Sequence, residues 1–231
     1  MKKSTLLLNN VYLKPSQIHK FRGFIGNLFR NHDLIHNHDL KTGKPIYRYP
    51  LIQFKLIDET PAIIAITDRA VSIFSEIFMK LDKIIIEDTV ISVFEKELKI
   101  EEVEFGYSDE IFMYEFVSPW IGLNQKNFRK YNEAGNYEKN EMLKRIMTGN
   151  ILSMAKYLDC RLSKYQKIKI DHKLKETKVN LKGKSMTAFN GIFKTNFCLP
   201  DYLGLGKSVS RGFGAVSRKM GEWEKWGSGE A

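Results

Sequence analysis

The sequence predicts an α+β fold of antiparallel sheets with helices packed on one face. Three observations predict it. Short apolar runs, several of them alternating with polar residues, recur along most of the chain, as in half-buried strands. Amphipathic stretches with helical spacing interrupt them. Several strand-like runs follow one another directly across short turns, as hairpins do, rather than alternating one for one with helices.

The elements follow in order. Residues 4–13 hold Leu6, Leu8 and Val11 in a short apolar run and read as a strand. Pro15-Ser16 opens a helix in which Ile18, Phe21, Ile25, Leu28 and Phe29 recur at helical spacing, ending near Asn31. Residues 31–46 are polar, contain Gly-Lys-Pro and read as a loop. Strands are expected at 47–57 and 62–67, then a helix from Asp68, its candidate cap, to about Met79. Further strands are expected at 83–87, 90–94, 97–105 and 111–117. A β-α-β-β-α-β order over roughly the first ninety residues is the ferredoxin-like pattern.

Ser118-Pro119-Trp120 reads as a break. A helix is expected from about Tyr137 to Leu158, striped by Met142, Leu143, Ile146, Ile151 and Met154. Residues 167–173 and 176–182 alternate like two strands, and 188–199 is a third. The expected division is 1–117, 118–226 and a flexible tail at 227–231. The second part holds strands, a helix and strands again, a candidate degenerate copy of the first, with no repeat visible in the residues themselves.

Composition bounds the class. At 231 residues and 43% hydrophobic, the chain suits one large or two small domains. Cys160 and Cys198 are far apart and form no CxxC, which argues for a reducing compartment and against a structural zinc site. No apolar run approaches the roughly 20 residues of a membrane span, and no secretory leader follows Met1, so a cytoplasmic protein without a membrane partner is expected.

The charge is localised. Of 37 Lys and Arg and 27 Asp and Glu, residues 161–220 hold 14 and three, leaving 23 and 24 elsewhere. A basic block on a neutral body points to a polyanion partner; a solvated lysine face is the alternative. Within the block, residues 204–214 read GLGKSVSRGFG. Glycines let backbone approach phosphate closely and aim N–H groups at it. Lys207 and Arg211 add charge, and Ser208 and Ser210 add hydroxyls. The ending Gly206-Lys207-Ser208 is that of a P-loop, but that motif needs a glycine where Asp201 stands, and only 23 residues follow Ser208. A glycine hairpin with incidental charge is the plainer alternative. Lys167, Lys169 and Lys173 alternate with Ile168, Ile170 and His172, which would put the lysines on one strand face as a second contact surface, or as edge lysines that deter aggregation.

Three of the five histidines, His32, His36 and His38, lie within seven residues. A closed zinc site wants four ligands, and the nearby carboxylates are Asp33 and Asp39 only, with no cysteine. A solvated polar loop is the second option. Acid–base chemistry is the third: histidine gives and takes protons near neutral pH, and RNA carries its own nucleophile in the 2′-OH. Lys44, Tyr47, Arg48 and Tyr49 lie just beyond.

Three segments together, FRGFIGNLFRNHDLIHNHD at 21–39, YRYPLIQFK at 47–55 and GLGKSVSRGFGAVSRK at 204–219, resemble the CRISPR-associated endoribonucleases that process precursor CRISPR RNA. These belong to the repeat-associated mysterious protein superfamily, and the likeness is to its type I-B branch. The pattern GxGxxxxxGxG is matched by Gly204, Gly206, Gly212 and Gly214. The resemblance implies two tandem ferredoxin-like domains, related to the RNA-recognition fold. It implies metal-independent cleavage within the CRISPR repeat, leaving a 2′,3′-cyclic phosphate and a 5′-OH, and a crRNA with a short repeat-derived 5′ handle. No cofactor and no metal are expected. By position the catalytic residues fall on His38 as principal acid–base residue, His36 as partner and Tyr47 as orienting donor, with His32 structural. The RNA-holding set is Gly204, Gly206, Lys207, Ser208, Arg211, Gly212, Gly214 and Arg218, with Lys167, Lys169 and Arg48. CRISPR repeat RNA is the expected partner. Effector-complex subunits and a second copy of the chain on RNA are further candidates. The alternative is a non-catalytic RNA-binding subunit of an effector complex.

Overall fold

The computed structural model describes residues 1–29, 34, 48–181 and 183–219. The first sheet contains β1 (Lys2–Leu8), β2 (Ile52–Ile57), β3 (Thr60–Ile66) and β6 (Lys96–Glu102) in the order β2-β3-β1-β6, antiparallel throughout. Helix α1 (Ile18–Leu28) connects β1 to β2, and α2 (Asp68–Lys80) follows β3. This is the ferredoxin-like arrangement, with one departure. The strands expected at 83–87 and 90–94 form a separate two-stranded hairpin, β4 (Lys83–Ile86) and β5 (Thr89–Ser92), and β6 is the fourth strand of the sheet.

The second sheet repeats the order. Strands β7 (Gly106–Trp120), β8 (Ile170–Leu181), β9 (Lys184–Cys198) and β10 (Val216–Arg218) lie as β10-β7-β9-β8. Helices α3 (Gln125–Glu133) and α4 (Asn136–Tyr157) fill the first crossover. The second crossover, between β9 and β10, carries the glycine-rich segment where the first unit carries α2. The expected division after residue 117 falls inside β7, whose length pairs in the second sheet. Ser118-Pro119-Trp120 is not a break but a bulge, where the β7–β9 register slips between Phe116 and Trp120. The two strands expected at 167–173 and 176–182 are one continuous strand, β8, paired residue by residue with β9.

The cores follow the apolar spacing. On the first sheet, Phe21 and Ile25 of α1 and Phe74 and Ile77 of α2 pack with Leu6, Leu8, Phe54 and Ile63. Of the residues expected in that stripe, Phe29 is buried and Leu28 is exposed. Asp68 is not the cap of α2: Thr67 holds that position, and Asp68 pairs with Lys2. Strand β3 is buried on both faces, because Ile64 and Ile66 on its far side pack against Leu203 from the second unit. The second core centres on Tyr114, Phe116, Trp120, Phe189 and Phe193 against Met147 and Ile151 of α4. Both cysteines are free. Among the described residues no helix is long and apolar enough to cross a membrane.

Candidate functional site

The glycine-rich segment is folded tightly over the first unit. Its glycines are needed first for shape. Gly206, Gly212 and Gly214 have φ of 84°, 96° and 64°, in the region that L side chains rarely adopt. A Cβ on Gly206 would lie 2.6 Å from Trp120 Nε1, and one on Gly214 would lie 2.1 Å from the Leu205 carbonyl oxygen. The amides of Leu205, Lys207, Arg211 and Gly214 donate to the carbonyls of Gly214, Ile121, Ser208 and Pro119. Those N–H groups are therefore used within the protein rather than aimed outward.

Three side chains of the 47–55 motif hold the segment down. The Tyr49 hydroxyl donates to the Gly204 carbonyl at 2.7 Å, and the Gly204 amide donates to Gln53 Oε1 at 3.0 Å. Lys55 is 1% exposed and donates from Nζ to the carbonyls of Val209 at 2.9 Å and Phe213 at 3.0 Å. Burial pushes its pKa down to about 7. A neutral amine still carries two N–H donors, which matches these two acceptors. The same burial pushes the Tyr49 hydroxyl well above its ordinary value.

What the segment presents outward is cationic. Arg211 and Phe213 line a crevice of about 380 Å³ with Ser16, His19 and Lys20 at the start of α1 and Asn180 at the tip of the β8–β9 hairpin. Arg22, one turn on from His19, lies close enough that the Arg211 charge, after burial, holds its guanidinium below its usual pKa. Arg22 Nε is buried with no hydrogen-bond partner among the described residues. Guanidiniums with a donor left over suit the oxygens of a phosphate or carboxylate. A second crevice, of about 280 Å³, brings Arg48 and Gly206 together beside Tyr49 and Tyr157. Lys207 is exposed at the surface of the segment, whereas Ser210 is buried.

The rest of the expected RNA-holding set lies elsewhere. Lys167 and Lys169 precede β8, where Asn196 ties their backbone to β9. That end of β8 is about 35 Å from the hairpin tip at about 3.3 Å per residue. Arg218 sits on β10 with its guanidinium over the Phe112 ring at 4.3 Å, and Phe112 pairs in the row of Ile170. Arg218 thus lies on one edge strand of the sheet and the two lysines lead into the other. His172 is half-buried against α4, with Nε2 3.3 Å from the Asn140 carbonyl oxygen. His36, His38 and Tyr47, with His32, lie outside the described residues. His19, Arg22 and Lys55 were not singled out by sequence reasoning. The i, i+3 spacing of His19 and Arg22, which shares one helix face, was the available signal.

Fold and site define a protein of two tandem ferredoxin-like units with a cationic seam between them. The chain belongs to the Cas6b family: residues 1–104 match the Cas6b N-terminal domain and residues 106–219 the Cas6b C-terminal domain. It is similar to a crystal structure of Cas6b at 34% identity and a TM-score of 0.89, over 94% of this chain and 99% of that one. It is similar to a second structure, the CRISPR RNA processing endoribonuclease Cas6b, at 32% identity and a TM-score of 0.77, over 95% and 100%. An uncharacterised protein of Methanocaldococcus jannaschii is 38% identical over 143 residues, 62% of this chain and 97% of its own length. The type IV crRNA endonuclease Csf5, 13% identical with a TM-score of 0.61 over 95% and 100%, shares the fold.

Proposed function

We propose that the chain processes precursor CRISPR RNA by cutting within the repeats. Its membership of the Cas6b family and its likeness to the CRISPR RNA processing endoribonuclease Cas6b support the nuclease and its substrate. The observation in the molecule that carries the reading is the crevice beside α1, lined by His19, Lys20 and Arg211, with Arg22 one helical turn on and its Nε without a hydrogen-bond partner among the described residues. The phosphodiester backbone of RNA supplies negative charge there.

The proposed chemistry uses the RNA's own 2′-OH. His38 and His36 remove its proton and protonate the departing 5′ oxygen, and Tyr47 orients the phosphate. The oxygen attacks the adjacent phosphorus, the bond to the 5′ oxygen breaks, and the products are a 2′,3′-cyclic phosphate and a 5′-OH. No metal takes part. Gly204, Gly206, Lys207, Ser208, Arg211, Gly212 and Gly214 position the RNA, with Arg48 in the neighbouring crevice and Lys167, Lys169 and Arg218 as outlying contacts. Incubation of repeat RNA with the protein in EDTA tests this. One cut with a cyclic phosphate end is expected. Binding without a cut would point instead to a non-catalytic RNA-binding subunit.

A further inference from the structure

The β8–β9 hairpin takes part in a second, separate crevice. It has a volume of about 590 Å³ and lies between the hairpin and the opening of α3. Phe128 of α3 lines it, 40% exposed, with Leu123 and with Lys178, Lys184, Ser185, Met186 and Thr187 of the hairpin. Both lysines are exposed, and no acidic side chain lines the crevice among the described residues. Lys126, Arg129 and Lys130 of the same helix line the adjoining hollow against the single carboxylate of Glu133.

An aromatic ring open to solvent, flanked by cations and hydroxyls and free of carboxylates, has the chemistry of a base-stacking platform on a phosphate track. The volume falls within the range of pockets that take small organic ligands, about 300–1,000 Å³. The hairpin also connects the two places, because Asn180, Leu181 and Gly183 at its tip line the Arg211 crevice. A strand leaving that crevice along the tip reaches Phe128.

We infer that this crevice holds a single-stranded stretch of the RNA, with one base stacked on Phe128 and the flanking phosphates on Lys178 and Lys184. The stretch is unpaired, because a base inside a duplex has no free face to offer an aromatic side chain. The inference rests on the RNA-processing function proposed above.

The test compares the wild type with Phe128→Ala, Phe128→Tyr and the double variant Lys178→Ala/Lys184→Ala. Fluorescent repeat RNA is titrated by anisotropy over a salt series, and single-turnover cleavage is followed at saturating protein. Melting temperatures confirm folding, which these exposed positions should not disturb. Phe128→Ala should weaken binding about tenfold, and Phe128→Tyr should restore it. The double variant should flatten the salt slope by about 1.4, at about 0.7 per phosphate for single strands. Saturated cleavage rates should match the wild type. Wild-type affinity and slope in both variants, with wild-type cleavage intact, would overturn the crevice assignment alone. A wild type that neither binds nor cuts repeat RNA would overturn the assignment together with the function it rests on.

Discussion

Arg211 of the glycine-rich segment acts on Arg22 of α1 across the two ferredoxin-like units: after burial, its charge holds the Arg22 guanidinium below its usual pKa. Arg22 Nε is buried there without a hydrogen-bond partner among the described residues. Ionisable groups perturbed in this way cluster at functional sites. Arg211→Ala should therefore weaken repeat-RNA binding and lower its salt slope by about one, without lowering the melting temperature of the free protein. An unchanged slope would remove Arg211 from the phosphate path.

Lys55 makes a pH prediction. Its folded pKa of about 7 lies below its ordinary value, so between those two values the unfolded chain binds the extra proton. Stability then rises with pH across that window, by at most about 1.4 kcal/mol per pH unit. Unfolding free energy should be higher at pH 9 than at pH 7, and Lys55→Met should abolish the difference. That variant should also lose about 1–3 kcal/mol, because the Val209 and Phe213 carbonyls would be left buried without donors. Equal stability of the wild type at the two pH values would contradict the account.

The glycines separate shape from tolerance. Gly214→Ala places a Cβ 2.1 Å from the Leu205 carbonyl oxygen at a φ of 64°, and should cost more than about 1–3 kcal/mol and impair RNA binding. Gly183→Ala, at a φ of 75° with nothing within 4 Å, should cost only about 1–2 kcal/mol. Chemical denaturation of both variants checks the ranking.

Much of the fold was legible because its signals are local. The spacing of Ile18, Phe21 and Ile25 marks α1, and the glycine pattern marks a special segment. Pairing was less legible. Alternation shows that 83–87 and 97–105 are strands, but not that β6 rather than β4 completes the sheet. The exposure pattern of β8 changes phase at Lys175 and Glu176, which makes one strand look like two. Helix α3 was missed because its nine residues carry only Phe128 and Tyr131 as large apolar side chains, and only Tyr131 is buried. The role of residues 204–214 was legible in part. Composition pointed to backbone amides facing phosphate, whereas several of them are bonded inside and the side chains of Lys207 and Arg211 face outward. The closeness of Arg22 and Arg211 belongs to tertiary structure and leaves no local trace.

His38→Ala should lower single-turnover cleavage by about 10²–10⁴-fold and leave repeat-RNA affinity nearly intact. Parallel loss of affinity would move His38 from chemistry to binding.

The central claim is attack by the 2′-OH. Its most direct measurement is cleavage of repeat RNA carrying a single 2′-deoxy nucleotide at the scissile position. Intact RNA that still binds with the affinity of the all-ribose substrate is the predicted result. Persistent cutting at that position would contradict the mechanism.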